Sequence, residues 1–388
     1  MKILFLAPQP FFEVRGTPLA VRALVGALGK MGHAVDLLTY PQGQEVSIPG
    51  VRHRRSLSLP VGHVRPGFSA AKLVLDGPFL LEAFARMALG GYDVVHAVEE
   101  AAHACAPMAR LLRLPLIVDV DSSIPDQLQE RGLSPKNPLV WTAECLERYA
   151  LRRAAAVVTV CTSLTERVKT RAPQAAVFQI EDPPLGAGQT AGADAVAALR
   201  QELGLDARPV VLYSGNFEPY QGVEMLLAAA ALVPETQVVL MGGEPAEIAA
   251  LREHTGERAV FTGKRPPEDL PRFLAMCDVL VSPRRQGVNT PFKLYTYLAS
   301  GKPLVATRIA THTQLIDDGT AFLVDATPEG LGTGIRAALA DPAEAARRAE
   351  AGRRLIERDY SDARYAEKVK AAYDAVGRQV KGSRLGHH

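Results

Sequence analysis

Short apolar runs recur along the chain, separated by segments long enough for one helix, and this rhythm restricts the fold more than any other feature. In the first half the runs are Ile3–Ala7, Val35–Thr39, Val94–Ala97, Leu116–Val120 and Val157–Val160. They are rich in Val, Ile and Leu and show little alternation, so they read as strands buried on both faces of a parallel sheet wrapped by helices. A second series follows: Val210–Ser214, Val238–Met241, Ala259–Thr262, Val279–Pro283, Pro303–Thr307 and Ala321–Val324. Between the two, Asp182–Leu199 mixes Pro, Gly, Ala and Asp in a form suited to a linker and the approach to a helix. The 388 residues therefore predict two Rossmann-like α/β domains, 1–184 and 185–360. A helix over 361–380 is expected to pack back on the first domain, leaving a tail at 381–388.

Composition narrows the setting. No apolar run reaches the roughly 18 residues needed to cross a bilayer, so the chain reads as soluble. The start, MKILFLAPQP, leads from an apolar run into a loop and reads as a first strand, not a signal peptide. Cys105, Cys145, Cys161 and Cys277 lie far apart without a C-x-x-C pair, which argues against a zinc site or a disulfide framework and for reduced core residues in a cytoplasm. A net charge of +2 and the lack of an aromatic-basic motif argue against a nucleic-acid partner. One local cluster stands out: residues 52–72 carry Arg52, Arg54, Arg55, Arg65 and Lys72 with no acid, together with Phe68. It is either a solvated loop or a peripheral contact with the inner membrane face or a lipid acceptor.

In a parallel α/β sheet, ligands collect where strands run through loops into helix N-termini, whose free N–H groups suit phosphate. Four such junctions contain glycine. After the first strand come Gly16, Thr17 as N-cap and Pro18 at the first helical position. In the second half, Gly215, Asn216, Gln221 and Gly222 follow one strand, and Gly242, Gly243 and Glu244 follow another. The segment VSPRRQGVNTPFKLYTYLASGKPLVAT offers Thr290 as N-cap, Pro291 at the first helical position, and three cations, Arg284, Arg285 and Lys293, that would converge on an anion. In the first half, His96 and Asp121 stand at strand ends, with Glu99 and Glu100 just after His96. Those two glutamates suit sugar hydroxyls or an acceptor cation, whereas His96 also fits a structural histidine and Asp121 a helix cap.

The order of MKILFLAPQPFFEVRGTPLAVRAL, YDVVHA, LYSGNFEPYQGVEMLL, the MGGEP turn and NTPFKLYTYLASGKPLVAT resembles family 4 glycosyltransferases of the GT-B type over nearly the whole chain. The resemblance implies two Rossmann-like domains facing a central cleft, with a nucleotide-sugar held mainly by the second and an acceptor by the first. It also implies transfer with retention at the anomeric carbon, no metal, and the nucleotide-sugar as co-substrate in place of a cofactor. By position it brings Gly16 and the turn from Gly215 to Gly222, with Asn216 and Gln221, to the donor diphosphate and Gly243 and Glu244 to the nucleoside; the loop and helix residues Arg284, Arg285, Asn289, Thr290 and Thr296 complete the expected donor contacts. Lys293, Asp121 and His96 become catalytic candidates, and Glu99 and Glu100 face the acceptor.

This chain departs from the family's pattern in two places. Asn216 and Gln221 stand where the family commonly has an Arg and a Lys. Val288 and Thr296 stand where it commonly has two glutamates, and no Glu occurs from Leu274 to Arg308. Lys293 is therefore expected to be the main charge on the leaving diphosphate, with Asn216 and Gln221 as neutral donors. The rival readings are a GT-B-type sugar-nucleotide epimerase or hydrolase, and a catalytically degenerate nucleotide-sugar-binding partner.

Overall fold

The computed structural model describes residues 1–13, 16–61, 70–130, 132–186, 190–255 and 259–385. It divides into two units, Met1–Glu181 with Tyr365–His388, and Asp182–Arg364. Among the described residues the first unit holds a parallel seven-stranded sheet. Its strands are β1 (Lys2–Ala7), β2 (Ala34–Thr39), β3 (Val51–Arg55), β4 (Val94–Val98), β5 (Leu116–Val120), β6 (Ala156–Thr159) and β7 (Val177–Gln179), in the order β3-β2-β1-β4-β5-β6-β7. The helices α1 (Gly16–Lys30), α2 (Ala70–Leu89), α3 (Glu100–Leu111), α4 (Ile124–Glu130), α5 (Pro138–Arg153) and α6 (Thr162–Arg171) accompany it.

The second unit repeats the plan with a parallel six-stranded sheet. Here β8 (Val210–Ser214), β9 (Gln237–Met241), β10 (Ala259–Gly263), β11 (Val279–Ser282), β12 (Leu304–Thr307) and β13 (Phe322–Val324) run in the order β10-β9-β8-β11-β12-β13. Its helices are α7 (Ala193–Glu202), α8 (Val223–Ala230), α9 (Pro245–Thr255), α10 (Leu270–Met276), α11 (Phe292–Ala299), α12 (Ala310–Thr313), α13 (Pro328–Ala340) and α14 (Pro342–Asp359). The last helix, α15 (Asp362–Leu385), starts in the second unit and belongs to the first from Tyr365 onward. It is longer than expected, so 381–385 of the expected tail are helical and 386–388 lie outside the described residues.

The central strands are buried throughout, as their apolar runs require: β4 and β5 show no exposed position, and Val210, Val211, Leu212 and Tyr213 of β8 have no accessible surface. Several helices begin as their sequences dictate. Asn137 caps α5 by accepting the Leu139 amide at 2.9 Å, with Pro138 in the first turn, and Thr327 caps α13 by accepting the Gly330 amide at 3.0 Å.

Two strands lie outside the set read from sequence, β3 and β7, and both are sheet edges. An edge strand need not bury both faces; β3, with the sequence VRHRR, alternates half-buried and exposed positions. In each sheet the strand order reverses beside the first strand of its unit: β1 lies between β2 and β4, and β8 between β9 and β11. The loops leaving β1, β4, β8 and β11 therefore emerge at the positions where open α/β sheets bind ligands. No helix among the described residues is long and apolar enough to cross a membrane.

Candidate functional site

In the second unit, β8 ends at Ser214 and the chain turns sharply through Gly215, whose φ is 145°. A Cβ on Gly215 would sit 2.7 Å from Lys293 Nζ, so the absent side chain is what admits the lysine. Lys293, in the first turn of α11, places its ammonium 3.8 Å from the centre of the Tyr213 ring and donates to Gln221 Oε1 at 3.2 Å. Among the described residues no carboxylate lies within 4.0 Å of it. Burial, with the nearby Arg284 charge, holds the Lys293 pKa well below the ordinary lysine range. An anion placed here would restore the charged form.

The turn itself is fixed from below. Tyr297, buried on α11, accepts the Ser214 amide at 2.6 Å, and Tyr213 donates to the Asn216 carbonyl at 2.6 Å. The Asn216 side chain accepts the Glu218 amide at 3.3 Å. Gly222, with φ at 74°, passes so close to the β11 loop that a Cβ would fall 2.1 Å from the Pro283 carbonyl oxygen. Gly243 lies against the Phe217 ring, and the partly exposed Glu244 pairs with Lys264.

The loop after β11 brings Arg284 beside Lys293. Arg284 is 6% exposed, and its guanidinium donates to the Gln286 carbonyl at 2.9 Å and to Asn289 Oδ1 at 2.9 Å and lies 5.2 Å from the Tyr220 ring centre. Asn289 thus orients a cation. The Arg285 amide donates to the Tyr220 carbonyl at 2.9 Å, whereas its side chain is exposed, so the expected three-cation cluster is a pair with a third charge at the rim.

Two expectations for this segment change. The helix begins one residue late: Pro291, with φ −62° and ψ 127°, is the N-cap, and buried Thr290 is not. A residue before proline is driven out of helical geometry, and Pro291 itself is extended here, so α11 starts without a side-chain cap, and the Leu294 amide turns back to the Pro291 carbonyl at 3.0 Å. The buried Thr296 is engaged within the unit: its Oγ1 accepts the Leu185 amide at 2.9 Å and fixes the segment entering the unit. Tyr213, Tyr220 and Tyr297 went unread in the sequence, where the only signal was a tyrosine at each end of YSGNFEPY. His312, also unread, is buried between Ser282 and Thr307, and burial lowers its pKa to about 4.

In the first unit, His96 is held in the core. It lies within β4, not at its end, and has no accessible surface. Its Nε2 is 3.0 Å from Asp119 Oδ2, its Nδ1 is 2.8 Å from the Tyr373 hydroxyl of α15, and its ring stacks on Phe5 at 4.2 Å. Both nitrogens are engaged in the core. Asp121 is the first residue beyond β5 and is 8% exposed.

Glu99 occupies the position before α3 with φ at 48°, and its carboxylate accepts from Ser122, so the loops after β4 and β5 meet. Gln127 also donates to Ser122 at 2.7 Å. Glu100 pairs with Lys72, and Tyr40 donates to Asp76 at 2.5 Å; burial raises the Glu100 and Asp76 carboxyls. The result is a group of acids at the carboxyl ends of β4 and β5. Gly16 opens α1 with nothing within 4 Å of where a Cβ would stand.

The basic segment 52–72 is not a free cationic loop where it is described. Val51–Arg55 is strand β3, Arg52 lies 3.6 Å from Asp36, Arg55 donates to the Gly43 carbonyl at 2.9 Å, and Lys72 is the partner of Glu100. Arg65 and Phe68 lie outside the described residues. Of the four cysteines, Cys105, Cys161 and Cys277 are buried as expected, but Cys145 is exposed on the outer side of α5.

Comparison with known proteins matches the two units separately. Residues 15–180 fit the model of a glycosyl transferase 4-like domain, and residues 208–341 that of glycosyl transferases group 1. An alpha-D-kanosaminyltransferase of Streptomyces kanamyceticus is 29% identical over 70% of this chain and 73% of its own length. A GDP-mannose-dependent phosphatidylinositol monomannoside mannosyltransferase of Mycolicibacterium smegmatis is 32% identical over 55% of this chain and 61% of its own. Among solved structures, a sucrose-phosphate synthase of Thermosynechococcus elongatus superposes with a TM-score of 0.78 at 24% identity, covering 98% of this chain and 99% of that one. The HepE protein of Anabaena, solved with UDP and glucose, gives 0.75 at 17% identity over 96% of this chain and 99% of its own. These neighbours establish the GT-B fold, and the sequence relatives are sugar-transferring enzymes, which does not favour the epimerase, hydrolase or inactive-partner readings. The chain belongs to the family 4, group 1 glycosyltransferases and is an enzyme that transfers sugars.

Proposed function

We propose that the protein is a retaining glycosyltransferase whose second unit grips a nucleoside-diphosphate sugar through Lys293, Arg284 and the uncapped amides of α11. The observation that carries this is the Lys293 ammonium, held on Tyr213 against Gly215 with no carboxylate within 4.0 Å among the described residues. In the reaction the bond from the anomeric carbon to the diphosphate breaks, a bond to an acceptor oxygen forms, and negative charge builds on phosphate. Fixed N–H groups and two cations oppose that charge without reorganising. No metal has a part in this reading.

Asp121, Glu99 and Glu100 then serve the acceptor. Asp121 takes the acceptor hydroxyl's proton, and the two glutamates read its hydroxyls or a cationic group. Support for the donor class comes from HepE, solved with UDP and glucose, and from the GDP-mannose-dependent relative. That relative's phosphatidylinositol monomannoside keeps a lipid acceptor, and work at the inner membrane face from the cytoplasm, within the proposal.

The test is a calorimetric screen of the full chain against uridine, guanosine, adenosine, thymidine and cytidine diphosphates. The reading expects one of them to bind and to raise the thermal midpoint, by mass action on the native state. A protein that responds to none of them, or binds equally well as Lys293→Ala, would overturn the donor site.

A further inference from the structure

The large exposed hydrophobic side chains are unevenly distributed. Among the described residues the second unit shows only Leu232, while the first gathers all of its own but Leu57 on three adjacent helices, α2, α3 and α5. Helix α3 packs between the other two and lies on β4 and β5, so the outer surfaces of all three form one layer turned away from the sheet.

On α2 the exposed positions are 73, 74, 77, 81, 85, 88 and 89, a helical stripe about 24 Å long. Leu73, Val74, Leu81 and Leu89 are 55%, 50%, 72% and 87% exposed. No charged side chain interrupts this stripe. The described charges of α2 are turned aside into pairs: Lys72 with Glu100, Asp76 with Tyr40, and Arg86 with Glu82 at 2.6 Å.

Helix α5 continues the layer with Leu139, Leu146 and Trp141, the last 62% exposed and the only tryptophan of the sequence. The exposed charges of α3 and α5 are Arg110, Arg148, Arg152 and Arg153, all basic. The acids of these two helices, Glu100, Glu144 and Glu147, are half-buried or buried, and Glu147 is held by Arg171.

We infer that the α2–α3–α5 layer is a docking surface for an anionic lipid bilayer. A protein partner would be met by exposed charges of both signs, whereas an apolar face whose fully exposed charges on α3 and α5 are all arginines, with an outward tryptophan, complements acyl chains below negatively charged headgroups. This surface differs from residues 52–72, and the inference does not rest on the sugar-transfer reading.

The lone tryptophan and the exposed Cys145 beside it allow the face to be probed in the full, unaltered chain. Vesicles of phosphatidylcholine mixed with phosphatidylglycerol should shift Trp141 emission to the blue and protect it from aqueous quenchers. A polarity-sensitive label on Cys145 should report the same transfer. Phosphatidylcholine alone should do so weakly, and added salt should reverse the effect.

Arg148→Glu combined with Arg152→Glu, and separately Leu73→Ser combined with Leu81→Ser, should each lower partition at least about tenfold. Arg52→Glu with Leu57→Ser should leave it unchanged. All variants are first matched to the parent by circular dichroism. No vesicle-dependent shift, equal binding to neutral vesicles, full binding by either helix variant, or a shift that follows protein concentration without lipid would each overturn the proposal; the last would assign the face to a second copy of the chain.

Discussion

At the scale of single residues, Lys293 is the group on which the donor site turns. Its folded pKa is depressed, so a bound diphosphate raises it, and complex formation takes up a proton. Affinity should therefore fall as pH rises through the window between the free and the bound pKa. Calorimetry in two buffers of different ionisation enthalpy should show that uptake, and Lys293→Ala should abolish it. The same variant should weaken diphosphate binding by about 10- to 100-fold, the loss of a charge-assisted contact of roughly 1.5–3 kcal/mol. Arg285→Ala, at the exposed rim, should change affinity by less than about threefold.

His96→Ala should behave in the opposite way. It removes a buried ring that Asp119 and Tyr373 hold on Phe5, so it should cost roughly 2–4 kcal/mol of unfolding free energy in urea titrations and leave donor affinity intact. In sequence, His96 looked like a site residue because YDVVHA ends an apolar run. The strand runs on through Val98, and that extension places the ring inside the sheet.

At the scale of elements, the glycine turns are set by backbone contact. Gly222→Ala should destabilise the second unit by roughly 1–3 kcal/mol, since a Cβ would meet the Pro283 carbonyl and the residue needs positive φ. Urea unfolding followed by circular dichroism measures this directly. The strands read from the sequence are those with apolar runs, the edges β10 and β13 included, whereas β3 escaped because VRHRR carries no such run and β7 because VFQ is only three residues long.

Within the donor segment, the residues of the loop-helix were legible from their spacing, but their partners were not. Nothing in NTPFKLYTYL says that Thr296 holds the Leu185 amide or that Tyr297 holds Ser214, because those contacts join positions 111 and 83 residues apart. The tyrosines under the cations were hidden for the same reason: an aromatic residue next to a strand end reads as core until its ring is seen beneath an ammonium.

At the scale of the whole molecule, two Rossmann-like units share one plan, and each exposes its loops at the reversal of strand order. The second unit offers cations beside a helix start without a side-chain cap, the first a set of carboxylates after β4 and β5. This division of charge suits an anionic donor on one unit and a hydroxyl-bearing or cationic acceptor on the other. Beside the turn where the family commonly has an Arg and a Lys, the second unit holds Lys293 on Gln221 and Arg284 on Asn289.

The central claim is most directly tested by turnover with the nucleotide-sugar whose diphosphate binds, following nucleoside-diphosphate release and the anomeric configuration of the product for the parent and for Lys293→Ala. The account predicts a product of retained configuration and a kcat/KM at least about 100-fold lower in the variant, with its fold unchanged. Equal turnover by Lys293→Ala, or an inverted product, would contradict it.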